Sequence, residues 1–519
     1  MISYLLQGPP KSTTPLIVVG IYLALLLIFS IMNSRRPRGS AGDYFVASRS
    51  IGPFLLLMSV FGTTMTAFAL VGSTGKAYDN GIGVYGLMAS ASGIIHSLVF
   101  FLVGIKLWAI GKRYNYVTQI QFFRNRFDSN LLGYLLFPVL VGLVVPYLLI
   151  GLLGAGSVLK GVSGVPTSLT GAVICAVVLA YILTGGVRAA ALANAVQTIV
   201  FMAVGLLAFV LISNSLGGIE AATEAVANNT PQLLAREGEI GHLQFISYCF
   251  VPLSVGMFPH LFQHWLTARS AKTFRMTVIA HPIFIMIVWL PCVLIGVWAA
   301  GAGIEAPGGN SNAVLAKMVG MQLKSPWITG LLIAGILAAI MSSLDSQFVC
   351  LGTMFTHDIV VHALGEENVS ESQRVKLGRW FIVAIVVLTY VLSLFPPPNI
   401  FDLAIWCFSG FASLFPLVVA AVYWRRTTRA GAIASVIVAG IIWSALFYDG
   451  LLAPTLSGSS PEGDYLIWGM MPVAIMILAS SSALVVVSLI TKPLPANTVN
   501  RYFGIGANQA NGSGNLDNE

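Results

Sequence analysis

Residues 335–352 read GILAAIMSSLDSQFVCLG, and Asp345 is the one charged side chain among them. A run of roughly 20 apolar residues is what an α-helix needs to cross about 30 Å of hydrocarbon. A carboxyl group in the middle of such a helix costs about 2.5–3.5 kcal/mol on insertion scales, so by default it indicates a functional site. The segment therefore predicts a membrane-spanning helix that carries a polar patch.

Apolar runs of similar length recur along almost the whole chain. Of its 519 residues, 57% are hydrophobic and 9% are charged, whereas soluble domains carry about 25% charged residues. We predict an all-α polytopic membrane protein with about 13 transmembrane helices in one domain. The runs lie at about 15–33, 51–78, 82–108, 131–158, 166–187, 191–215, 244–266, 276–301, 326–360, 377–396, 399–424, 430–449 and 466–491.

The basic residues lie in short clusters between these runs rather than along one helix face, so the net charge of +8 does not indicate a nucleic-acid partner. If the N-terminus is outside and sides alternate, 21 of the 27 basic residues are cytoplasmic and 6 are outside. Cytoplasmic loops carry such an excess of Lys and Arg. We predict a multi-pass protein of the cell membrane, plasma or inner, with its C-terminus in the cytoplasm. The polar residues 492–519 predict a disordered cytoplasmic tail.

Two of the runs contain signals for a broken helix. Residues 59–75 read SVFGTTMTAFALVGSTG, and residues 248–260 read YCFVPLSVGMFPH. These runs are five spans apart, an odd number that inverts topology, and matched breaks of this kind point to the binding site of transporters built from inverted repeats. We predict repeats over 51–215 and 244–424, with two peripheral helices over 430–491 completing a transporter domain over 1–491. The alternative is that Gly and Pro are simply common in membrane helices.

Asp345 has no obvious fixed counter-ion, because no Lys or Arg stands in the middle of another run. The expected partner is therefore a mobile cation, Na⁺ or H⁺. The hydroxyls of Ser342, Ser343 and Ser346 are hard oxygen donors that suit a small alkali ion. The alternative is that these serines bond to backbone carbonyls and help helices to pack.

Four segments in this order resemble the sodium:solute symporter family, over about residues 43 to 440. They are GDYFVASRSIGPF (42–54), LTGGVRAAALANAVQ (183–197), AAIMSSLDSQF (338–348) and PPPNIFDLAIW with FPLVVAAVYWRR (396–406 and 415–426). The resemblance implies a LeuT-type fold of two inverted five-helix repeats. It also implies Na⁺ as the coupling ion.

The resemblance implies one sodium site in particular. Its carbonyl ligands fall on Gly62, Met65 and Ala339, and its hydroxyl ligands on Ser342 and Ser343. Many family members carry an Asp after the TGG turn for a second sodium, and Asn194 stands at that place here. Asn194, Asp345 and Ser346 are therefore the candidate residues for a second cation.

The solute pocket is expected at mid-membrane between the second, third, seventh and eleventh spans. Few charged or amide side chains lie in these spans, which favours a small, mostly apolar solute. The stretch FPHLFQHWLTARS (258–270) resembles the carboxylate-transporting branch of the family and points to a monocarboxylate; its His260 and His264 lack a third metal ligand nearby. Candidate solute-binding residues are Thr64, Thr66, Phe68, Ser92, His96, Phe250, Ser254, Trp406 and Phe411.

Together these features predict a sodium-coupled secondary active symporter that imports a small organic solute by alternating access. A solute-sensing receptor (transceptor) of the same fold and an H⁺-coupled symporter are the alternatives. An enzyme is not expected, because Asp345 stands alone rather than among clustered acids, bases or metal ligands. The five cysteines form no CxxC pair, so neither disulfides nor a zinc site is expected. The expected partners are the solute, sodium and the lipid bilayer, without nucleic acid, and a monomer is sufficient.

Overall fold

The computed structural model describes residues 13–34, 45, 47–235, 240–322, 325–395, 399–457 and 464–503. Over this part of the chain, helices are joined by short loops, and the β-structure amounts to two isolated bridges. Nine of the described helices are long and apolar enough to cross a membrane, and two bent helix pairs raise that number to as many as 11. The all-helical membrane fold is confirmed.

Two shorter apolar helices accompany these spans, Thr14–Ser30 and Thr167–Leu183. Both are parts of longer helical segments, Thr14–Ser34 and Thr167–Ser215, and the number thirteen stays a prediction. The apolar segments, numbered in chain order, are α1 (Thr14–Ser34), α2 (Pro53–Thr64 and Phe68–Asn80), α3 (Gly83–Arg113), α4 (Asn130–Ser163), α5 (Thr167–Leu183), α6 (Gly185–Ser215), α7 (His242–Gly256 and Pro259–Thr267), α8 (Ala271–Gly301), α9 (Pro326–Leu364), α10 (Glu371–Leu392), α11 (Ile400–Tyr423), α12 (Arg429–Ser457) and α13 (Pro472–Ile490).

Helix α2 is broken, and its halves bend by 59°. The break falls at residues 65–67 rather than at a glycine, because Met65 takes an extended conformation (φ −88°, ψ 95°). The Thr66 hydroxyl then accepts a hydrogen bond from the Phe68 N–H (3.0 Å), which caps the second half. The interruption leaves backbone groups near Thr64 outside the helical hydrogen-bond ladder, where they are available to other partners.

Helix α7 is broken in the same way, with a bend of 50° between its halves. Phe258 is extended (φ −64°, ψ 115°), and Pro259 begins the second half. Proline suits the first turn of a helix because it has no N–H to leave unpaired. The structure thus contains both of the breaks that the sequence predicts.

Helix α9 lies at the centre of the molecule, since 83% of its most apolar 18-residue window is buried. It packs against α1, α2, α4 and α6. Gly186, the second residue of α6, has φ 56° and ψ −150°, a conformation that only glycine adopts readily. This turn lets α5 and α6 pack side by side with α9.

The expected disordered tail is partly ordered. Residues Ala496–Phe503 form a helix, and Tyr502 is only 6% exposed. The aromatic residues of this otherwise polar segment pack on the loop after α3, which the composition of 492–519 does not reveal. Residues 504–519 lie outside the described part of the chain.

Candidate sodium and solute sites

The break in α2 meets the serines of α9. The Ser342 hydroxyl lies 2.7 Å from the Gly62 carbonyl oxygen and 2.8 Å from the Ala339 carbonyl oxygen. A hydroxyl has one proton, so it cannot donate to both carbonyls at once. Three oxygens from two helices therefore converge with one proton among them, which is an arrangement suited to a small cation.

The two other residues of this expected sodium site lie beside those three. Met65 is at the break itself and is 1% exposed. Ser343 follows Ser342 on α9, is 3% exposed, and accepts a hydrogen bond from the Gln347 amide (2.7 Å). All five residues are thus buried at one junction of α2 and α9, and the direct contacts join Gly62, Ala339 and Ser342.

The residues of the expected second cation site have different neighbours. Asp345 is fully buried and accepts a hydrogen bond from the Tyr181 hydroxyl of α5. Ser346 contacts the Asn194 amide nitrogen (2.8 Å) and His264 Nε2 (2.8 Å). The neutral Asn194 therefore forms a hydrogen bond with Ser346 from its amide group, and the Asp345 carboxyl is directed toward α5.

A cavity lies between the breaks of α2 and α7. Of the expected solute-binding residues, the structure places Thr64, Phe68, Ser92, His96 and Ser254 in its wall. The full lining comprises Thr64, Met65, Phe68, Ser92, His96, Tyr147, Tyr248, Val251, Pro252, Ser254, Phe258, Trp289 and Phe408.

Four expected solute-binding residues do not line this cavity. The Thr66 hydroxyl is used to cap the second half of α2. Phe250 is 39% exposed at the turn before the break of α7. Trp406 belongs to a separate cavity beside Asp464, and Phe411 packs edge-on behind Phe258, with ring centroids 4.9 Å apart.

Two hydrogen-bonding groups on residues that line the cavity, His96 Nδ1 and Trp289 Nε1, have no partner among the described residues. A third polar group, the Tyr147 hydroxyl, has Ser343 of α9 as its neighbour. All three side chains are at most 8% exposed. Buried polar atoms are almost always paired, so a set of unpaired ones points to a ligand or to water. Among the described residues that line the cavity, there is no Asp, Glu, Lys or Arg.

Sequence reasoning missed Tyr147 and Trp289. Both are aromatic residues with a polar tip inside apolar runs, and such tips need a partner when they are buried. That property is a usable signal, although it does not say which of the many membrane-embedded tyrosines and tryptophans face one cavity.

The paired histidines of α7 are used for packing and hydrogen bonding. The His260 ring stacks on Phe258 at a centroid distance of 5.1 Å, and His264 bonds to Ser346. Within the described residues, no group of three or more His, Cys, Asp or Glu is arranged to hold a metal ion.

Contacts join neighbouring segments at both ends of the broken helices. At one end, Asp464 contacts Lys76 of α2 (2.6 Å) and Gln244 of α7 (2.5 Å). At the other end, Ile51 pairs with Ala268 after α7. These two sets of contacts are the candidate closures on either side of the cavity.

Two broken membrane helices around a cavity, with a cation-suited cluster of oxygens at one break, are the features of an ion-coupled secondary transporter. The profile of the sodium:solute symporter family matches residues 44–439. The chain belongs to this family; it is a transporter rather than an enzyme, and sodium is its coupling ion.

Known proteins support this assignment along nearly the full chain. The osmoregulated proline transporter OpuE of Bacillus subtilis is 26% identical over 498 residues, covering 94% of this chain and 97% of its own. The sodium/pantothenate symporter of Escherichia coli is 24% identical, covering 83% and 90%. The fold matches that of a solved Na⁺-coupled sialic acid symporter with a TM-score of 0.76 at 17% identity, covering 93% of this chain and 99% of the other.

Proposed function

We propose that this symporter carries a small monocarboxylate. The observation that supports this proposal is the presence of unpaired groups on His96 and Trp289 in a cavity whose described lining has no charged side chain. The indole N–H can only donate, and an imidazole N–H or the Tyr147 hydroxyl can donate as well. A carboxylate is an acceptor-only group, so it suits a pocket in which donors lack acceptors.

The same cavity offers little to an ammonium group. No carboxylate is found among the described residues of its lining. Its small polar side chains are the hydroxyls of Thr64, Ser92 and Ser254. A buried cation is costly unless it is paired. We therefore expect a carboxylic acid without an amino group to be preferred over proline, the solute named for one of the relatives.

We propose that sodium binds between α2 and α9, to the carbonyls of Gly62, Met65 and Ala339 and the hydroxyls of Ser342 and Ser343. An ion held by both helices stabilises the state in which they are close together, and that is the differential affinity that a coupling ion needs. Asn194, Asp345 and Ser346 are proposed to hold a second cation.

We propose the membrane orientation that the distribution of Lys and Arg indicates and the inverted repeats that the matched helix breaks indicate. The N-terminus lies outside and the C-terminus in the cytoplasm, and the inverted repeats cover 51–215 and 244–424. In this orientation the Lys76–Asp464 contact is the outer closure, and the Ile51–Ala268 pair is the inner one. The protein is proposed to work as a monomer in the bilayer.

Uptake into proteoliposomes tests the proposal. An inward sodium gradient is applied with one radiolabelled solute at a time: acetate, pyruvate, proline and glucose. We expect accumulation of a monocarboxylate that disappears when potassium replaces sodium. Accumulation of proline alone would contradict the solute class, and uptake driven equally by a proton gradient without sodium would favour H⁺ coupling. Binding without any uptake would favour the transceptor.

A further inference from the structure

The helix Ala496–Phe503, termed here the C-terminal clip, contacts the loop that follows α3. We propose that the clip is a detachable lock that holds the inner closure shut. This inference rests on the proposed alternating-access cycle and on the cytoplasmic position of the C-terminus. It assigns a conformational role to a segment that composition alone predicts to be disordered.

The inner closure consists of the residues just before α2 packed on the end of α7. The Ile51 N–H donates to the Thr267 carbonyl (3.0 Å), and the Arg269 N–H donates to the Ile51 carbonyl (3.0 Å). Arg49 adds a contact from its guanidinium to the Leu266 carbonyl (3.1 Å). Because Ile51 lies two residues before α2, separating these two segments frees the inner end of α2.

Tyr116 connects the clip to this closure. Its carbonyl oxygen accepts a hydrogen bond from Arg49 Nη2 (2.8 Å). Its hydroxyl is 2.6 Å from the Tyr502 hydroxyl, and both tyrosines are 6% exposed. The Tyr116 side chain therefore contacts the clip, and the Tyr116 backbone contacts the inner closure.

A second attachment of the clip lies on Arg126, at the end of the loop helix Gln119–Arg126. Arg126 Nε donates to the Ala421 carbonyl at the inner end of α11 (2.9 Å). Its guanidinium group lies 5.8 Å from the Tyr502 ring centroid and 5.0 Å from that of Phe503. Such distances are typical of cation–π contacts. The clip thus covers Arg126 and bridges the loop after α3 to α11.

Several features indicate that the clip can detach. It has eight residues, and isolated helices of this length are unstable in water. Arg126, which the clip covers in part, is fully buried, and its Nη1 has no partner among the described residues. Burial lowers the pKa of Arg126 to about 10, so the group is still charged at neutral pH. Detachment removes part of the cover over this cation, which offsets some of the contacts that are lost.

Amide hydrogen exchange of the full-length protein in lipid nanodiscs, in sodium and without solute, tests the proposal. The variants are Tyr502→Ala and a chain that ends at Pro495. The matched control is Asn497→Ala, an exposed residue of the same helix. We expect residues 47–56 to exchange at least about threefold faster in both clip variants, because local opening sets the exchange rate, and to be unchanged in the control.

Residues 464–471 serve as the internal reference at the opposite closure. Unchanged exchange at 47–56 in the shortened chain would overturn the proposal. Equal acceleration at 47–56 and 464–471 would overturn it too, because the clip would then stabilise the whole fold. If the shortened chain does not fold, Tyr502→Ala decides by the same comparison. The measurement uses no transport, so its result is independent of whether the solute proposal holds.

Discussion

Ser342 is the residue whose substitution tests the proposed sodium site most directly. Its hydroxyl lies within 2.8 Å of two carbonyl oxygens from different helices. The one Ser342 hydroxyl proton can bond to only one of these carbonyl oxygens at a time. A sodium ion would instead contact the hydroxyl oxygen and both carbonyl oxygens. The energetic consequence of losing this oxygen is therefore larger when sodium is bound than when the site is empty.

Ser342→Ala is expected to raise the sodium concentration for half-maximal uptake by about 10- to 100-fold, because a contact to a charged group contributes about 1.5–3 kcal/mol. Sodium titration of initial uptake rates measures this. Ser163→Ala is the matched control, since the Ser163 hydroxyl donates to the carbonyl of Leu159 in its own helix. Equal sodium dependence of the two variants would refute the assignment.

Trp289→Phe removes one of the unpaired groups of the cavity lining while keeping an aromatic ring. We expect the KM for the monocarboxylate to rise about tenfold, since a lost hydrogen bond to a charged group costs at least about 1.5 kcal/mol. The sodium dependence should change little. Trp298→Phe on the same helix is the control, because the Trp298 N–H already bonds to Thr223 (3.1 Å). A KM that is the same in both variants would contradict the solute site.

At the level of the helices, the junction of α2 with α6 and α9 depends on Gly62. A Cβ at this position would overlap the Thr198 hydroxyl of α6 and lie 3.4 Å from the Asn194 carbonyl oxygen. Glycine is therefore required here by close packing rather than by an unusual backbone conformation. The Gly62 carbonyl can contact Ser342 only because the helices come this near.

Gly62→Ala is expected to lower the thermal stability of the protein by several degrees and to weaken sodium binding, because overpacking costs about 1–3 kcal/mol. Adding Thr198→Ala should restore part of both, since it removes the overlapping hydroxyl. Gly142→Ala in α4 is the control, as open space surrounds that position. Thermal unfolding in detergent with and without sodium measures the effect. A tolerated Gly62→Ala would show that α2 can shift without loss.

The sequence predicts the helices of this protein well because the bilayer demands long apolar runs. It also predicts the two broken helices, although in α2 the glycines mark the region and Met65 adopts the extended conformation. The clip was not predicted. Its polar composition resembles a disordered segment, and its order depends on Tyr116 and Arg126, which lie far away in sequence.

The candidate sites were predicted to different degrees. Gly62, Ala339 and Ser342 come into contact as the family resemblance implies. For the cavity, the sequence predicted the hydroxyl and aromatic residues near the α2 break, such as Thr64 and Phe68. Phe250 and Trp406 belong to the correct helices, but they lie on turns next to the ones that line the cavity. Which face of a buried helix meets the cavity depends on tertiary packing, because membrane-embedded helices are apolar on every side.

At the scale of the whole molecule, the number of coupled cations fixes the charge that is moved. One sodium with one monocarboxylate is electroneutral, and a second cation makes the cycle carry one net positive charge. A charge that crosses the membrane gains about 2.3 kcal/mol per 100 mV, which corresponds to about a 50-fold change in accumulation.

With a second cation at Asp345, a negative interior potential set by potassium and valinomycin is expected to increase monocarboxylate accumulation. Asp345→Asn should remove this voltage dependence while leaving sodium-dependent uptake through the α2–α9 site. Voltage-independent uptake by the unmodified protein would show that one cation is coupled. In that case the Asp345 carboxyl, bonded to Tyr181, has a structural role.

Sodium and a monocarboxylate are proposed to cross the membrane together, and simultaneous measurement of both fluxes tests this coupling. Proteoliposomes receive ²²Na⁺ outside, with and without unlabelled pyruvate, and the parallel sample receives labelled pyruvate. We expect pyruvate to accelerate ²²Na⁺ entry in fixed ratio to its own uptake and its neutral methyl ester to have no effect. Ser342→Ala is expected to abolish both increments at low sodium. Pyruvate entry that leaves ²²Na⁺ flux unchanged would show that the two are not coupled.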